Sequence, residues 1–440
     1  MLYFLSSETE RMAEKTAHFV KLGGREGELV RVYPHHQRHM VWGFGGAITE
    51  ASAVTFARMD ASRQNEFLQQ CFSEQGSRYN MVRIALQSCD FTLAPYEYES
   101  DPADTGFAKF TIAHELEYVI PLLKRIQQVN PAVQFIASPW SPPAFMKSTR
   151  IRQAGGSLRK KHYQNWAMMV ALALLGFRDH GIDIGRVTVQ NEPHFSAPWD
   201  SCRYTAESEL AFAARFLRPV LDAAGLEHVR ILGWDHNKER LLDRADAYLG
   251  SPEGSRAFAG MAFHIYSGDH FEAVREVRRC YPAADLILTE GCMEYSDFDE
   301  SRALVHAEKY AHEWLGDIQA GANACLDWNI LLDETGGPTY VGNFCDAPLM
   351  FDRRSGELRD ALAFSYLRHL TRFIQPRARV CACSSFTSRL ETLAVINPDD
   401  TRGFVALNRT GDDIDFGLTD GDRLWQIASP AHSILSATWK

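Results

Sequence analysis

Nowhere in the 440-residue chain is there an uncharged apolar run of about 18 residues, the length a bilayer-spanning helix needs, so no membrane span is expected. The opening "MLYFLSSETERMAEK" has no basic segment, and its apolar run, Leu2 to Leu5, is too short for the core of a secretory signal. The expectation is a cytoplasmic protein without stable membrane insertion. Basic residues form no stripe, and acidic residues outnumber them to give a formal net charge of −10, which argues against a nucleic-acid partner. Fixed-period repeats and low-complexity linkers are lacking. So are G-x-G-x-x-G, H-E-x-x-H and G-x-S-x-G, which removes support for a dinucleotide fold, a zinc protease or a serine hydrolase. The nine cysteines, an odd number scattered from Cys71 to Cys383, suit reduced thiols better than a disulfide framework. The C-x-C pair Cys381 and Cys383 points to one face of a strand, and His35, His36 and His39 read as a solvated loop. Neither group has the further ligands that zinc requires. No metal and no organic cofactor are expected.

What the chain does have is ordinary globular composition, 45% hydrophobic and 23% charged, and enough length for one large domain and a small one. Eight short β-type runs recur through its middle: 42–47, 81–88, 134–138, 186–190, 229–234, 261–266, 286–289 and 324–330. Helical patterns separate them. Asp60 is placed to cap one helix, and Gly181 to end another. Eight alternating units in this length favour a (β/α)8 TIM barrel within the α/β class over an open doubly wound sheet. After Pro376 the texture changes to short β runs between turns such as "PDDT" and "RTGDD". These read as a side β-sandwich, to which "AHFVKL" and "LVRVYP" near the start add strands. The expected organisation is residues 1–41 as sandwich strands, 42–375 as the catalytic barrel and 376–440 as the C-terminal sandwich.

Barrel active sites lie at the C-terminal ends of the strands. In order, those ends carry Glu50, Asp90, Trp140, Asn191 with Glu192, Asp235 with His236, His264 with Tyr266, Glu290, and Asp327 to Asn329. Carboxylates, amides and aromatics around one rim suit a sugar, with hydroxyls held by the first two and the apolar ring face by the last. Glu192 and Glu290 end the fourth and seventh strands, across the ring from each other, as the two carboxyls of a glycosidase must be. His236 and His270 read as loop residues, and Glu294 as a solvated charge. The residues leave three readings open: a glycosidase, a non-catalytic glycan-binding barrel, or a hydrolase using a metal or serine, the last without its motifs.

The blocks "GFGGAITEASA", "VRIALQSCDF", "SPWSPPAFMK", "TVQNEP", "LTEGC" and "DWNILLDETGGPTYVGNFCDAP" occur in this order, and together they resemble glycoside hydrolase family 30, the glucosylceramidase-like retaining β-glycosidases. The resemblance runs from Gly43 to the closing "SPAHSILSATW". It implies Glu192 as the acid/base and Glu290 as the nucleophile. It also implies Asp90, Trp140 and Trp328 in the glycone pocket, Asn191 on the sugar 2-hydroxyl and Asn343 near the leaving group. Arg83 and Tyr266 are expected beside Glu290, keeping it ionised while the acid stays protonated, with His264 orienting this shell. The expected substrate is a β-glycoside or oligosaccharide. A glucoside is the first choice; β-1,6-glucan or galactan oligosaccharides and β-xylosides are the alternatives within the family. Ile48 and Glu50 depart from the aromatic and aspartate expected in the first block, and "FIQPRA" replaces a Pro-Gly pair. No feature of the sequence sets an oligomeric state.

Overall fold

Eight parallel strands close into a barrel: β1 (Gly43–Ala47), β2 (Met81–Leu86), β3 (Gln134–Pro139), β4 (Ile184–Thr188), β5 (Arg230–Asn237), β6 (Phe258–His264), β7 (Asp285–Glu290) and β8 (Ala324–Asn329). The structure is a computed structural model and describes residues 1–19 and 28–440. Every strand pairs with its sequence neighbours, and β8 closes on β1. Each of the eight expected β runs overlaps one of these strands. The helices between them bury an apolar stripe against the outside of the barrel, as Val119, Leu122, Leu123 and Ile126 do in Val119–Val129. Asp60 caps its helix by accepting from the Arg63 amide, and Gly181 takes a left-handed φ of +84° just past Tyr163–Asp179.

Inside the barrel the two ends differ. Met81, Ile136, Leu232, Ala262, Ile287, Ala324 and Leu326 form an apolar plug that Trp42 partly covers. Two residues further along the same strands the inward positions turn polar: Arg83 follows Met81, Ser138 follows Ile136, and His264 follows Ala262. The two-residue period of a strand thus stacks a polar layer directly on an apolar one. The plug anchors the layer above it.

The second unit is one ten-stranded sheet containing Leu2–Ser6, Ala13–Thr16, His18–Phe19 and Leu29–Met40 from the start of the chain and six strands between Arg379 and Trp439. Leu2–Ser6 lies between Ala13–Thr16 and Ser433–Trp439, antiparallel to both. Tyr3, Val30, Phe404, Phe416, Leu435 and Trp439 belong to its separate core. His35, His36 and His39, expected in a loop, lie on the long strand Leu29–Met40. His35 and His36 are adjacent and point to opposite faces of the strand, and both are exposed because this stretch is open to water on both faces, which does not require a loop. Residues 20–22 of "AHFVKL" lie outside the described residues. Among the described residues no helix is long and apolar enough to cross a membrane.

Candidate active site

Arg83, pointing inward from β2, organises the polar layer. It is fully buried, and its Nη1 donates to Oε2 of Glu290 at 2.6 Å. Nη2 donates to Oδ1 of Asn191 at 2.7 Å and to Oδ2 of Asp235 at 2.9 Å, while Nε donates to the Ser138 hydroxyl at 3.1 Å. The guanidinium plane lies over the rings of Trp140 and Trp328, at 4.8 and 5.4 Å. Four of the five N–H donors of the fork are thus engaged, all three nitrogens among them, which a lysine could not reproduce.

Glu290 ends β7, and its second oxygen, Oε1, accepts from the Tyr266 hydroxyl at 2.8 Å. Both expected neighbours of Glu290 therefore touch it. Glu192 follows β4 with a backbone φ of +47°, a conformation L residues seldom adopt, and its amide donates to the Asp235 carbonyl at 3.0 Å. Asp235 is itself left-handed at +48°. Its side chain gathers Arg83, Ser138, Thr188, Thr289 and His264 within 2.6 to 3.1 Å. Burial alone would push this carboxyl up. The Arg83 charge and the His264 and Thr289 contacts outweigh burial and hold it far below the usual range.

His264 ends β6 between the carboxylates. Its Nδ1 lies 3.4 Å from Oε1 of Glu192, and its Nε2 lies 3.1 Å from Asp235 and 3.9 Å from Oε2 of Glu290. Burial disfavours the charged ring, but the Glu290 charge and the hydrogen bonds to Asp235 and Glu192 raise its pKa to about 9. For Glu192 burial acts upward, yet His236 and His264 outweigh it and bring the carboxyl to about 2. Against the expectation of a protonated acid, the surroundings favour His264, whose ring faces three carboxylates, over Glu192 as the proton carrier of the free site. Asp90 goes the other way, raised to about 7 by burial and by the Glu290 charge.

The catalytic glutamates expected from the sequence line one cavity of about 310 Å3, with Asp90, Tyr266, Trp328 and Asn343 around them. Asn343 donates to Oδ2 of Asp90 at 2.6 Å. Trp140 and Asn191 stand behind this wall: Trp140 is 1% exposed and stacks on Trp328 at 5.2 Å, and Asn191 is occupied by Arg83. Phe91, Phe195, Trp199 and Asn237 also line it without having been singled out, beside His236, Cys292 and Cys345. His236, read as a loop residue, belongs to β5, is buried and lies 3.5 Å from Glu192. Glu50 is occupied elsewhere, accepting from the Leu93 amide at 2.8 Å and meeting His114 at 2.8 Å. Glu294 sits on a two-residue strand, 3.6 Å from Arg302, with its side chain open to solvent.

Ligand atoms of Glu192, His236 and His264 lie within 4.8 Å of one another, close enough for a divalent ion. Glu192 and His264 already meet each other there, whereas Nδ1 of His236 has no hydrogen-bond partner among the described residues. All nine cysteines are free, and Cys292 and Cys345 bring their sulfurs to 3.2 Å at the cavity wall.

Residues 41–374 match the model of the glycosyl hydrolase family 30 TIM-barrel domain. The chain belongs to glycosyl hydrolase family 30. Residues 378–437 of this family 30 member match the family's β-sandwich domain. As such it is a glycoside hydrolase. It is 28% identical over 432 residues to the lysosomal acid glucosylceramidase of Mus musculus, covering 94% of this chain and 84% of the other. Its structure is similar to that of SrfJ from Salmonella typhimurium, with a TM-score of 0.97 and 34% identity over 100% of this chain and 99% of that one. The endo-β1,6-glucanase BT3312 follows it with a TM-score of 0.89 and 26% identity, again over 100% and 99%.

Proposed function

We propose that this hydrolase cleaves β-linked glucosides by double displacement, with Glu290 as nucleophile and Glu192 as acid/base. The carrying observation is that the two glutamates share one cavity in opposed surroundings. Glu290 is held by a cation and a phenol, and Glu192 touches a histidine that stores a proton. In the first step the proton held on His264 passes through Glu192 to the glycosidic oxygen as a Glu290 oxygen bonds the anomeric carbon and the leaving group departs. In the second, Glu192 takes a proton from water, which displaces Glu290 from that carbon. Arg83 and Tyr266 position the nucleophile, and Asp90 with Asn343 offers paired hydrogen-bonding groups to ring hydroxyls.

A cavity of this size sits at the low end of ligand pockets and suits one sugar ring, with Trp328 along its wall. Glucose as that ring is supported by the names of two relatives, a glucosylceramidase and an endo-β1,6-glucanase. On this reading a sphingolipid glucoside and a β-1,6-linked oligosaccharide are the two substrate classes to compare; galactosides and xylosides rank below them.

The test is release of nitrophenol from β-glucoside, β-galactoside, β-xyloside and β-fucoside by the native protein and by Glu290→Gln, followed by NMR of the first anomer formed. Glucoside cleavage with retained configuration, lost in the variant, is the expected result. Sugar binding with no release across the panel, or release that survives Glu290→Gln, defeats the proposal. Glucosylceramide and gentio-oligosaccharides then separate the two leaving-group classes.

A further inference from the structure

A second cavity, of about 890 Å3, opens between the segments that follow β3, β4 and β5. It shares a wall with the catalytic one: Glu192 and Phe195 line the first, and His194 and Ser196 line the second. With about 3.8 Å between consecutive Cα atoms, His194 stands within about 8 Å of Glu192 along the backbone.

In a chain of net charge −10 this cavity is basic. Arg159, Lys160, Arg203, Arg240 and Arg244 line it, against the carboxylates of Glu207 and Asp243. Among the described residues Arg240 is the one of the five that pairs with a carboxylate, Asp243. Arg159 meets the His162 ring instead, at 2.8 Å. Arg244 is the informative member. It is 4% exposed, its guanidinium lies 4.5 Å over Trp234, and Nη1 reaches only the Tyr248 hydroxyl at 3.3 Å. Its Nε has no partner among the described residues. The buried carboxyl of Glu209 is reached only through the Tyr248 hydroxyl, so among the described residues no carboxylate meets this buried cation directly, and an anion entering the cavity would supply that partner. The field is positive enough to push the His194 ring down, through burial first and then through Arg244, Arg240 and Arg203.

We propose that this cavity is an anion subsite that receives a phosphate, sulfate or carboxylate carried on the leaving group of the glycoside. The assignment to the leaving group rests on the proposed role of Glu192, which protonates the departing oxygen and so marks that side of the cut bond. Guanidinium forks bind such oxyanions in bidentate fashion, and a buried one does so with little screening. The inference extends the substrate class from neutral glucosides to glucosides of anionic alcohols.

Two measurements on the full chain test it. Inorganic phosphate is titrated calorimetrically into the native protein and into the Lys160→Gln/Arg203→Gln double variant, both positions being exposed. Saturable binding in the millimolar range or tighter, weakened at least tenfold in the variant, is expected. The second compares kcat/KM for 4-(2-hydroxyethyl)phenyl β-glucoside and its phosphate monoester, whose phenolic leaving oxygens are matched. The native protein should prefer the phosphate ester at least tenfold, and the variant should lose most of that preference. Absence of saturable phosphate binding, equal binding by the variant, or no preference for the ester overturns the proposal. Phosphate binding is read without catalysis, so an inert protein that still binds it would count against the glycosidase reading and not against the site.

Discussion

Nδ1 of His264 lies 3.4 Å from Oε1 of Glu192, close enough for one proton to pass between the two groups. The ring is raised to about 9 and the carboxyl is lowered to about 2, so across the intervening range the proton stays with the pair. The alkaline limb of kcat/KM is therefore expected near pH 9, where the pair loses that proton. In His264→Gln the proton has only the carboxyl to rest on, and the limb falls by more than two pH units. A pH profile of aryl glucoside hydrolysis by both proteins checks this; an unmoved limb would show that Glu192 is protonated independently of His264.

The same two shifts fix a stability window. His264, raised in the folded state, stabilises fully below its unfolded value and stops doing so as pH climbs through about 9. Glu192, lowered in the folded state, stabilises above its unfolded value and stops as pH falls through about 2. Thermal denaturation of the native protein should show both losses. His264→Gln should remove the alkaline one.

Arg83→Met leaves Asp235 and Glu290 as buried carboxylates without their cation. Breaking a buried ion pair from one side costs about 3–5 kcal/mol, and urea denaturation should show a loss of that order. Arg83→Lys should recover little of it, because one ammonium cannot reach Ser138, Asn191, Asp235 and Glu290 from a fixed plane.

Tyr266→Phe removes one hydrogen bond to the nucleophile and nothing from the barrel core, since the ring borders the open cavity. By analogy with the loss of a single active-site donor, kcat should fall about 10²-fold, with the melting temperature nearly unchanged. Equal losses in both would assign Tyr266 to packing.

Turnover should persist in excess chelator, and added zinc should inhibit. The donor atoms of Glu192, His236 and His264 are close enough to bind the ion, which would take the acid/base out of use. Replacing His236 with alanine should weaken the inhibition, as measured by zinc titration of the rate.

The barrel and both glutamates were legible because period-two runs and the ends of parallel strands are local signals. Asp235 was not. In β5, Leu232 belongs to the plug, so strict alternation points Trp234 inward and Asp235 out. The observed pairing sets Ala262 opposite Trp234 and Phe263 opposite His236, which leaves Asp235 as an extra residue in a bulge. The bulge turns its carboxylate into the barrel, and no pattern of apolar residues announces one. His236 was misread for the same reason, since the strand continues past the bulge to Asn237. Phe91, Phe195 and Trp199 come from segments after the strands, where nothing periodic fixes direction. The protonation of Glu192 was beyond reach because it depends on His264 and His236, each more than forty positions away.

Strand Leu2–Ser6 is hydrogen-bonded to Ser433–Trp439, although more than four hundred residues separate them along the chain. During synthesis, then, the first strands leave the ribosome with their C-terminal partners unmade and wait through production of the whole barrel. Their apolar faces, Tyr3, Leu5, Val30 and Val32, stay uncovered for that time, and open strand edges recruit other chains. A cell making this protein has a stake in who meets those strands first.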